Sequence, residues 1–407
     1  MLKRTALLYV ASFKGLSKEV WWLALVTFIN RAGTMVLPFL AKYLKEDLNF
    51  TYDEVGWIMV FFGLGAFSGA WLGGKLTDKI GFYRVMIYSL LISGVLFILL
   101  QFQNTFLSLC LGIFLLMTVA DMFRPAMFVS LNSYSKPENR TRSLTLIRLA
   151  INLGFVFGPT VAGLVIISSG YGALFWIDGL TCVMAGILFF LLIKEQMTLK
   201  KAAQKAELFK LNAAVYKDKI YWLFLVITFL IAVVFFQIFT TLPLYHNERY
   251  GLSEFDTGIL FFINGFVIVL FEMPMVSWIE KRKIPDVKLI SLSTVLIALS
   301  FLLLLFDTWA GILVISMVLI TFGEMVGFPY TNAFAMKRAK AGNEGRYMAL
   351  YSMAFAAAHI LSPKIGLTIV ASYGYNANFL LLGGCGILAI ILSIVLKRLL
   401  GKESETT

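Results

Sequence analysis

Ionisable side chains stand inside the most apolar stretches of this chain, where their types and spacing could hold a proton or bind a charged molecule. They are Arg31, Asp121, Arg124, Arg148, Asp178, Glu272, Glu324, His359 and Lys364. An ion facing lipid is costly, so each is expected to face the interior of a helix bundle, water or a partner. The four acids balance the four Lys and Arg residues. A set of structural ion pairs is therefore the alternative to a functional role.

Three of the acids are candidates for binding a proton. When the second half of the chain is shifted back by about 204 residues, Glu324 falls within one residue of Asp121. No basic residue lies near Glu324 in its own stretch, and a buried acid without a partner binds a proton more readily than an exposed one. Asp121 could instead pair with a nearby arginine. Glu272 stands beside a Met-Pro pair, where a bend would expose it. We predict proton coupling through these three acids.

Two arginines could bind an anion. Arg31 lies about eleven residues into the first apolar stretch, hence about 16 Å deep and near the middle of a bilayer. Arg124 comes three residues after Asp121 and shares its helix face. The predicted binding site also includes an amide and two acids, which could bind a cation instead of an anion. We predict ligand contacts at Arg31, Asn30, Arg124, Glu324 and Glu272.

The remaining charged residues are expected to be structural. Arg148, Asp178 and Lys364 lie nearer the ends of their stretches, where a side chain can reach water. His359 could titrate near neutral pH, but a hydrogen-bonded histidine packed between helices is the expected state.

Long apolar segments must position all of these groups. Hydrophobic residues make up 59% of the chain, charged residues only 14%, and the mean hydropathy is +0.84. A helix needs roughly 20 apolar residues to cross the hydrocarbon. Twelve stretches qualify: 20–43, 54–76, 84–101, 106–134, 143–168, 174–193, 220–245, 256–279, 288–306, 310–335, 346–371 and 376–396. The predicted fold class is an all-α integral membrane protein with twelve transmembrane helices.

The chain also repeats itself. Pro329 lies 204 residues after Pro125, and the same offset joins Pro363 to Pro159 and Gly374 to Gly170. A repeat of strongly apolar halves predicts two six-helix, pseudo-symmetric bundles with a path between them. We place the first bundle at 1–193 and the second at 220–407. The basic segment 194–219 is predicted to be a cytosolic amphipathic linker.

The distribution of charge predicts the orientation. With the N-terminus in the cytosol, most of the 35 Lys and Arg residues fall on inside loops and tails. This bias explains the net charge of +12 without nucleic-acid binding. We expect a multi-pass protein of the plasma (inner) membrane with both termini cytosolic.

Other classes of function lack the residues they need. The three cysteines lie inside predicted spans with no pairing pattern, and two histidines are too few for a metal site. There is no phosphate-binding loop of the G-x-x-x-x-G-K-[ST] type and no hydrolase or zinc-protease motif. We expect no metal, no cofactor and no enzymatic activity.

One loop carries a recognisable motif. Gly74-Lys75-Leu76-Thr77-Asp78-Lys79-Ile80-Gly81, with Arg84 after it, resembles the G-x-L-x-D-[RK]-x-G signature of the major facilitator superfamily. In that family the aspartate latches the cytosolic side. The resemblance implies the family's fold and a cytosolic gate formed by Gly74, Asp78, Lys79, Gly81 and Arg84. Phe82 and Tyr83 stand where the family usually has basic residues.

The fifth span carries a second motif. Gly154, Gly158, Pro159 and Gly163 resemble the G-x-x-x-G-P-x-x-G-G element that is typical of the family's drug:proton antiporters, with Ala162 replacing one glycine. Small residues four apart let helices approach closely, and proline provides a bend. Ordinary helix packing alone would also explain the glycines.

The resemblance and the buried charges predict a secondary active transporter that works by alternating access. We expect a monomer that exchanges protons for an amphipathic or cationic small molecule, which it exports across the lipid bilayer. The alternative is proton-coupled uptake of a small anionic nutrient, such as an organic acid or peptide, bound by Arg31 and Arg124.

Overall fold

The computed structural model describes residues 15–136, 139–195, 214–282, 284–306, 309–339 and 344–406, and these residues form helices joined by short turns. The helices are α1 (Lys18–Ala32), α2 (Val36–Lys42), α3 (Tyr52–Ile80), α4 (Phe82–Leu100), α5 (Phe106–Asp121), α6 (Phe123–Tyr134), α7 (Arg140–Ser169), α8 (Gly172–Leu192), α9 (Ala214–Lys217), α10 (Lys219–Phe236), α11 (Thr241–Tyr250), α12 (Glu254–Lys281), α13 (Asp286–Leu303), α14 (Gly311–Arg338) and α15 (Glu344–Thr406).

The predicted transmembrane architecture is confirmed. Eleven stretches of the described chain are long and apolar enough to cross a membrane, and the last of them, Leu350–Glu403, is 54 residues long. It contains two helices, because Gly374 interrupts α15 with φ +80° and ψ 177°. Gly170, its counterpart in the first half, ends α7 with φ +76°. Side chains disfavour this backbone region, so glycine allows the same turn in both halves.

The chain divides into two compact units. Unit 1 comprises Met1–Leu37 and Leu64–Ala202, and unit 2 comprises Pro38–Gly63 and Ala203–Thr407. Residues 38–63, which the repeat assigns to the first half, therefore pack within unit 2. Most of the predicted linker 194–219 lies outside the described residues, at 196–213.

Glycines hold α3 against α5 in unit 1. A Cβ on Gly69 would lie 2.3 Å from the carbonyl oxygen of Thr118, and one on Gly65 would lie 2.5 Å from that of Phe114. One turn further on, a Cβ on Gly73 would meet Met122 Cα at 2.7 Å. This spacing of four residues is the small-residue pattern that lets helices pack backbone to backbone in lipid.

A group of charged hydrogen bonds joins α10, α14 and both parts of α15 in unit 2. Arg338 donates to Asp218 at 2.8 and 3.0 Å and to Glu403 at 2.5 and 3.0 Å. Asp218 also caps α10 by accepting from the amide of Tyr221 at 3.0 Å, and Tyr347 donates to it at 3.0 Å. Burial alone would raise the pKa of Asp218, but these hydrogen bonds hold that pKa below its ordinary value.

The first helix of each half is broken. In the first half the break falls at Gly33–Met35, between α1 and α2. In the second half it falls at Gln237–Thr240, between α10 and α11. Pro38 and Pro243 follow the two breaks at the same position of the repeat. Each proline lacks an amide hydrogen and clashes with the carbonyl four residues earlier, which explains why neither helix continues.

Candidate functional site

A buried carboxylate closes the break between α1 and α2. The amide of Met35 donates to Asp178 Oδ1 at 2.9 Å and to Oδ2 at 3.1 Å, and the amide of Val36 donates to Oδ2 at 3.0 Å. Asp178 lies on α8 and its side chain is 0% exposed. Asp178 does lie nearer one end of its helix, but the expectation that it reaches water was wrong. The carboxylate replaces carbonyl acceptors that the break removes from the start of α2.

Close packing fixes the break from two sides. On α8, Thr181 touches Gly33, where an added Cβ would lie 1.9 Å from its Oγ1. On α7, a Cβ on Gly154 would lie 2.5 Å from Arg31 Cβ, and one on Gly158 would lie 3.2 Å from the carbonyl oxygen of Ala32. The glycines of the antiporter-type motif thus bring α7 against the end of α1 in unit 1. Pro159 and Gly163 of the same motif are buried on α7.

Arg31 stands at this break with two charged neighbours. Its Nε is buried and makes no hydrogen bond within the described part of the chain. Its charge interacts with those of Arg124 and Asp121. Asn30, one residue earlier, donates to Cys182 Sγ at 3.4 Å. Three of the predicted ligand-binding residues and one predicted proton site therefore belong to one region of unit 1.

Glu324 lies in a second polar cluster, inside unit 2. Asn264 on α12 donates from Nδ2 to Glu324 Oε2 at 3.4 Å and to Thr321 Oγ1 at 3.0 Å, both on α14. Glu324 is half-buried. The cluster offers a carboxylate, an amide and a hydroxyl, a set able to hold a proton or to bind a cation through oxygen.

The other predicted residues of unit 2 occupy different positions. Glu272 is half-buried on α12, two turns beyond Asn264. The ring of His359 stacks on Phe62 with centroids 5.2 Å apart and meets Phe236 edge-on at 4.4 Å. His359 therefore packs among aromatic rings.

Ion pairs join residues 38–63 to the rest of unit 2. Lys42 is 0% exposed, and its Nζ lies 2.9 Å from Glu254 and 3.6 Å from Glu46. Lys364 pairs with Asp53, so it does not simply extend into water. These ion pairs continue into hydrogen bonds between two tyrosines and Glu248. We call the whole group the far-end cluster, and its members are Lys42, Tyr52, Asp53, Glu248, Glu254, Lys364 and Tyr375.

Tyrosines extend the far-end cluster. Tyr52 donates to Glu248 Oε1, and Tyr375 donates to Glu248 Oε2 at 3.0 Å. Lys364 also lies over the ring of Trp57, 4.7 Å from its centroid. One carboxylate of α11 thus connects the start of α3 to the second part of α15.

His246 packs beside this cluster without carrying charge. It is 2% exposed, and its Nδ1 lies 3.4 Å from Thr257 Oγ1. Burial, together with the charge of Lys42, lowers the pKa of His246 from 6.5 to about 3.

The predicted gate motif lies around the loop between α3 and α4. Gly81 precedes α4 with φ +87°, a conformation that requires glycine. Gly74 faces open space, whereas its neighbour Gly73 makes the close contact with α5. Arg84 forms an exposed ion pair with Glu195 at 3.2 Å, and Lys79 is exposed. The side chain of Asp78 lies outside the described residues.

Sequence reasoning missed several residues of these sites. Asn264 was not selected because one amide in an apolar helix gives no signal of its partner. Lys42 and Glu254 were not paired because they lie 212 residues apart in the chain. The spacing of Gly65, Gly69 and Gly73 could have been recognised as a packing motif. The described residues hold no group of three or more His, Cys, Asp or Glu side chains suited to a metal ion.

Comparisons with known proteins find relatives that match most of the chain. A Na(+), Li(+), K(+)/H(+) antiporter of Planococcus maritimus is 23% identical over 397 residues, which are 89% of this chain and 91% of that protein. The quinolone resistance protein NorA of Staphylococcus aureus (strain COL) is 25% identical over 327 residues, which are 79% of this chain and 82% of that protein.

Solved structures share the fold. A crystal structure of the peptide transporter POT in complex with sulfate superimposes with a TM-score of 0.77 at 17% identity, covering 96% of each chain. The nucleoside transporter NupG gives a TM-score of 0.76 at 16% identity, covering 94% of this chain and 99% of that one. The Major Facilitator Superfamily model matches residues 23–363 and 283–407. The chain is therefore a multi-pass membrane transporter that belongs to the Major Facilitator Superfamily.

Proposed function

We propose that this transporter is a proton-coupled antiporter that exports small amphipathic or cationic molecules by alternating access. The observation that carries the proposal is the position of Glu324, half-buried on α14 with the neutral donor Asn264 at its carboxylate. A carboxylate in such a setting can exchange a proton for a cation. Two relatives named as an antiporter of monovalent cations and a drug-resistance protein support the same exchange.

In this scheme the proton and the substrate compete for acids. Glu324 is the primary coupling group, with Asp121 and Glu272 as further proton or cation sites. The halves 1–193 and 220–407 alternate in the plasma membrane, with both termini in the cytosol and the protein acting as a monomer. The motif of Gly74, Asp78, Lys79, Gly81 and Arg84 gates the cytosolic side, and the far-end cluster gates the opposite side.

A second candidate function is proton-coupled uptake of a small organic anion. It is favoured by the two arginines of unit 1, Arg31 and Arg124, whose charges interact with each other and with Asp121. The buried Nε of Arg31 makes no hydrogen bond among the described residues, so it is able to bind a carboxylate or phosphate oxygen.

The test uses sealed inside-out vesicles with an imposed proton gradient and a pH-sensitive dye. Lipophilic cations, Na⁺, K⁺, zwitterions and organic anions are added in turn to vesicles that contain the wild-type protein, Glu324→Gln or Arg31→Gln. Glu19→Gln, which changes an acid at the start of α1, is the matched control.

Antiport predicts proton release on adding cations, its loss in Glu324→Gln and its retention in Glu19→Gln. A response to anions only, abolished by Arg31→Gln and indifferent to Glu324→Gln, would replace export with uptake. Proton release by cations that survives in Glu324→Gln would keep antiport and remove Glu324 from the coupling step.

A further inference from the structure

The break in the first helix depends on one carboxylate. Helix α1 ends at Ala32 and α2 begins at Val36, and the amides of Met35 and Val36 both donate to Asp178. Both oxygens of this carboxylate are used as acceptors. Because buried backbone amides need acceptors, the ionised form of Asp178 is what keeps this break satisfied.

No cationic side chain balances Asp178. Its side-chain hydrogen bonds within the described chain come from those two backbone amides, and no Lys, Arg or His pairs with it there. Two described titratable groups lie close: Cys182 on its own helix, which interacts with the charge of Asp178, and Arg31 on α1, which interacts with Cys182. On α4, Gly94 packs against Gly179, the residue after Asp178, and Ser93 forms a hydrogen bond with Cys182 one turn further along α8. A carboxylate that is buried among neutral donors can take up a proton.

Protonation would change what Asp178 can accept. A carboxylic acid keeps one carbonyl oxygen as an acceptor, while its other oxygen carries a hydrogen and becomes a donor. If Oδ2 carries the hydrogen, the amide of Val36 loses its acceptor and that of Met35 keeps only Oδ1; if Oδ1 carries it, both amides depend on Oδ2 alone. The proton comes from water that enters when the break opens, and it returns to water when the carboxylate re-forms.

We propose that Asp178 is a second proton-binding site and that its protonation loosens the break between α1 and α2. Arg31 and Asn30 stand on the last turn of α1 before this break, and the chain leaves unit 1 directly after it, at Leu37. Proton uptake by Asp178 therefore acts on the position of the predicted ligand-binding residues. This role in transport rests on the proposed proton coupling, but the titration itself can be measured without transport.

The second half of the chain supplies an internal control. Its break, at Gln237–Thr240, is held by a side chain that cannot titrate. Gln237 donates to the carbonyl oxygen of Ser362 at 2.6 Å and to its hydroxyl at 3.0 Å, and it accepts from Thr241 at 2.8 Å. In the background of His359→Gln, which removes the titratable ring packed on Phe236, protons should therefore loosen the first break and leave the second one unchanged.

The experiment is hydrogen–deuterium exchange of the purified full-length protein in lipid nanodiscs between pH 5.5 and 8.5, with rates corrected for intrinsic exchange. Peptides covering 30–40 and 236–245 are compared. We expect protection at Met35 and Val36 to fall by about tenfold at low pH, because a hydrogen bond to a charged acceptor is stronger than one to a neutral acceptor. In the His359→Gln background, protection in 236–245 should not change.

Two variants sharpen the test. Asp178→Asn mimics the protonated acid, so its first break should be loose at every pH, whereas Met184→Leu, at an exposed position of the same helix, should keep the wild-type pH response. If Asp178→Asn does not fold, two wild-type measurements still test the inference: the pH dependence of hydrogen–deuterium exchange, and the infrared band of a protonated carboxylic acid. If the exchange of residues 30–40 in the wild-type protein does not depend on pH, the inference is overturned, even where Glu324→Gln abolishes proton-coupled transport. A pH-dependent profile supports it, even where transport is not coupled to protons.

Discussion

The buried pair of Lys42 and Glu254 allows a quantitative prediction. Glu254→Gln leaves the ammonium of Lys42, which is 0% exposed, opposite a neutral amide. Removing one partner of a buried ion pair costs roughly 3–5 kcal/mol. Glu254 itself is 16% exposed and Glu46 remains 3.6 Å from the ammonium, so we expect the cost here to be about 2–3 kcal/mol.

This cost should appear as local opening of residues 38–47. At about 1.4 kcal/mol per factor of ten, the opening equilibrium shifts by roughly 30- to 100-fold. Hydrogen–deuterium exchange of this segment measures the shift directly, because amides exchange from the open state. Peptides of α13, away from the far-end cluster, should keep their wild-type protection.

Two matched variants separate charge from packing. Glu46→Gln should change exchange by less than about threefold, because its ion pair is longer and partly exposed. The double variant Lys42→Met with Glu254→Leu should restore protection, since apolar residues of similar volume commonly replace a buried ion pair without loss of stability. Unchanged exchange in Glu254→Gln, or a double variant as open as the single one, would refute this reasoning.

Three further predictions concern stability, measured by thermal unfolding of the purified protein. The folded state binds a proton at His246 only near pH 3 and the unfolded state near 6.5, so the unfolding free energy should be maximal above pH 6.5. It should fall by about 1.4 kcal/mol per pH unit below that, a loss that is absent in His246→Gln. Gly69→Val should destabilise unit 1 by about 1–3 kcal/mol because its Cβ meets the Thr118 carbonyl, whereas Gly74→Val, facing open space, should not. Arg338→Gln removes the bidentate contacts to Asp218 and Glu403 and should cost about 2–4 kcal/mol, against less than about 1 kcal/mol for Lys337→Gln, whose side chain is 68% exposed. Equal effects of each pair of variants, or a pH response that persists without His246, would contradict these assignments.

The long helices could be predicted because hydropathy is a property of contiguous residues. Each predicted apolar stretch is helical in the described chain, although three of them are divided between two helices, and Gly170 and Gly374 mark turns that separate neighbouring helices. The two breaks were not predicted; Pro38 and Pro243 account for them once the structure is known, and the sequence alone does not show what satisfies the freed amides.

Partners at long range could not be predicted. Asp53 and Lys364 are 311 residues apart, and nothing in either local sequence indicates the other. Depth along a helix suggested that Asp178 reaches water, because distance from a helix end does not reveal which face is covered by a neighbouring helix. Of the adjacent glycines 73 and 74, the motif selected Gly74, whereas the contact with α5 falls on Gly73.

The sequence by itself determined that this chain is a twelve-helix membrane protein with a repeated half, because apolar length, turn glycines and prolines act locally. Only the tertiary structure decided which charges meet. It placed the Asp178 carboxylate on the break in the first helix, Glu324 beside Asn264, and Lys42 against Glu254. Those pairings depend on the rotation and depth of whole helices relative to one another, which are set by packing between distant parts of the chain.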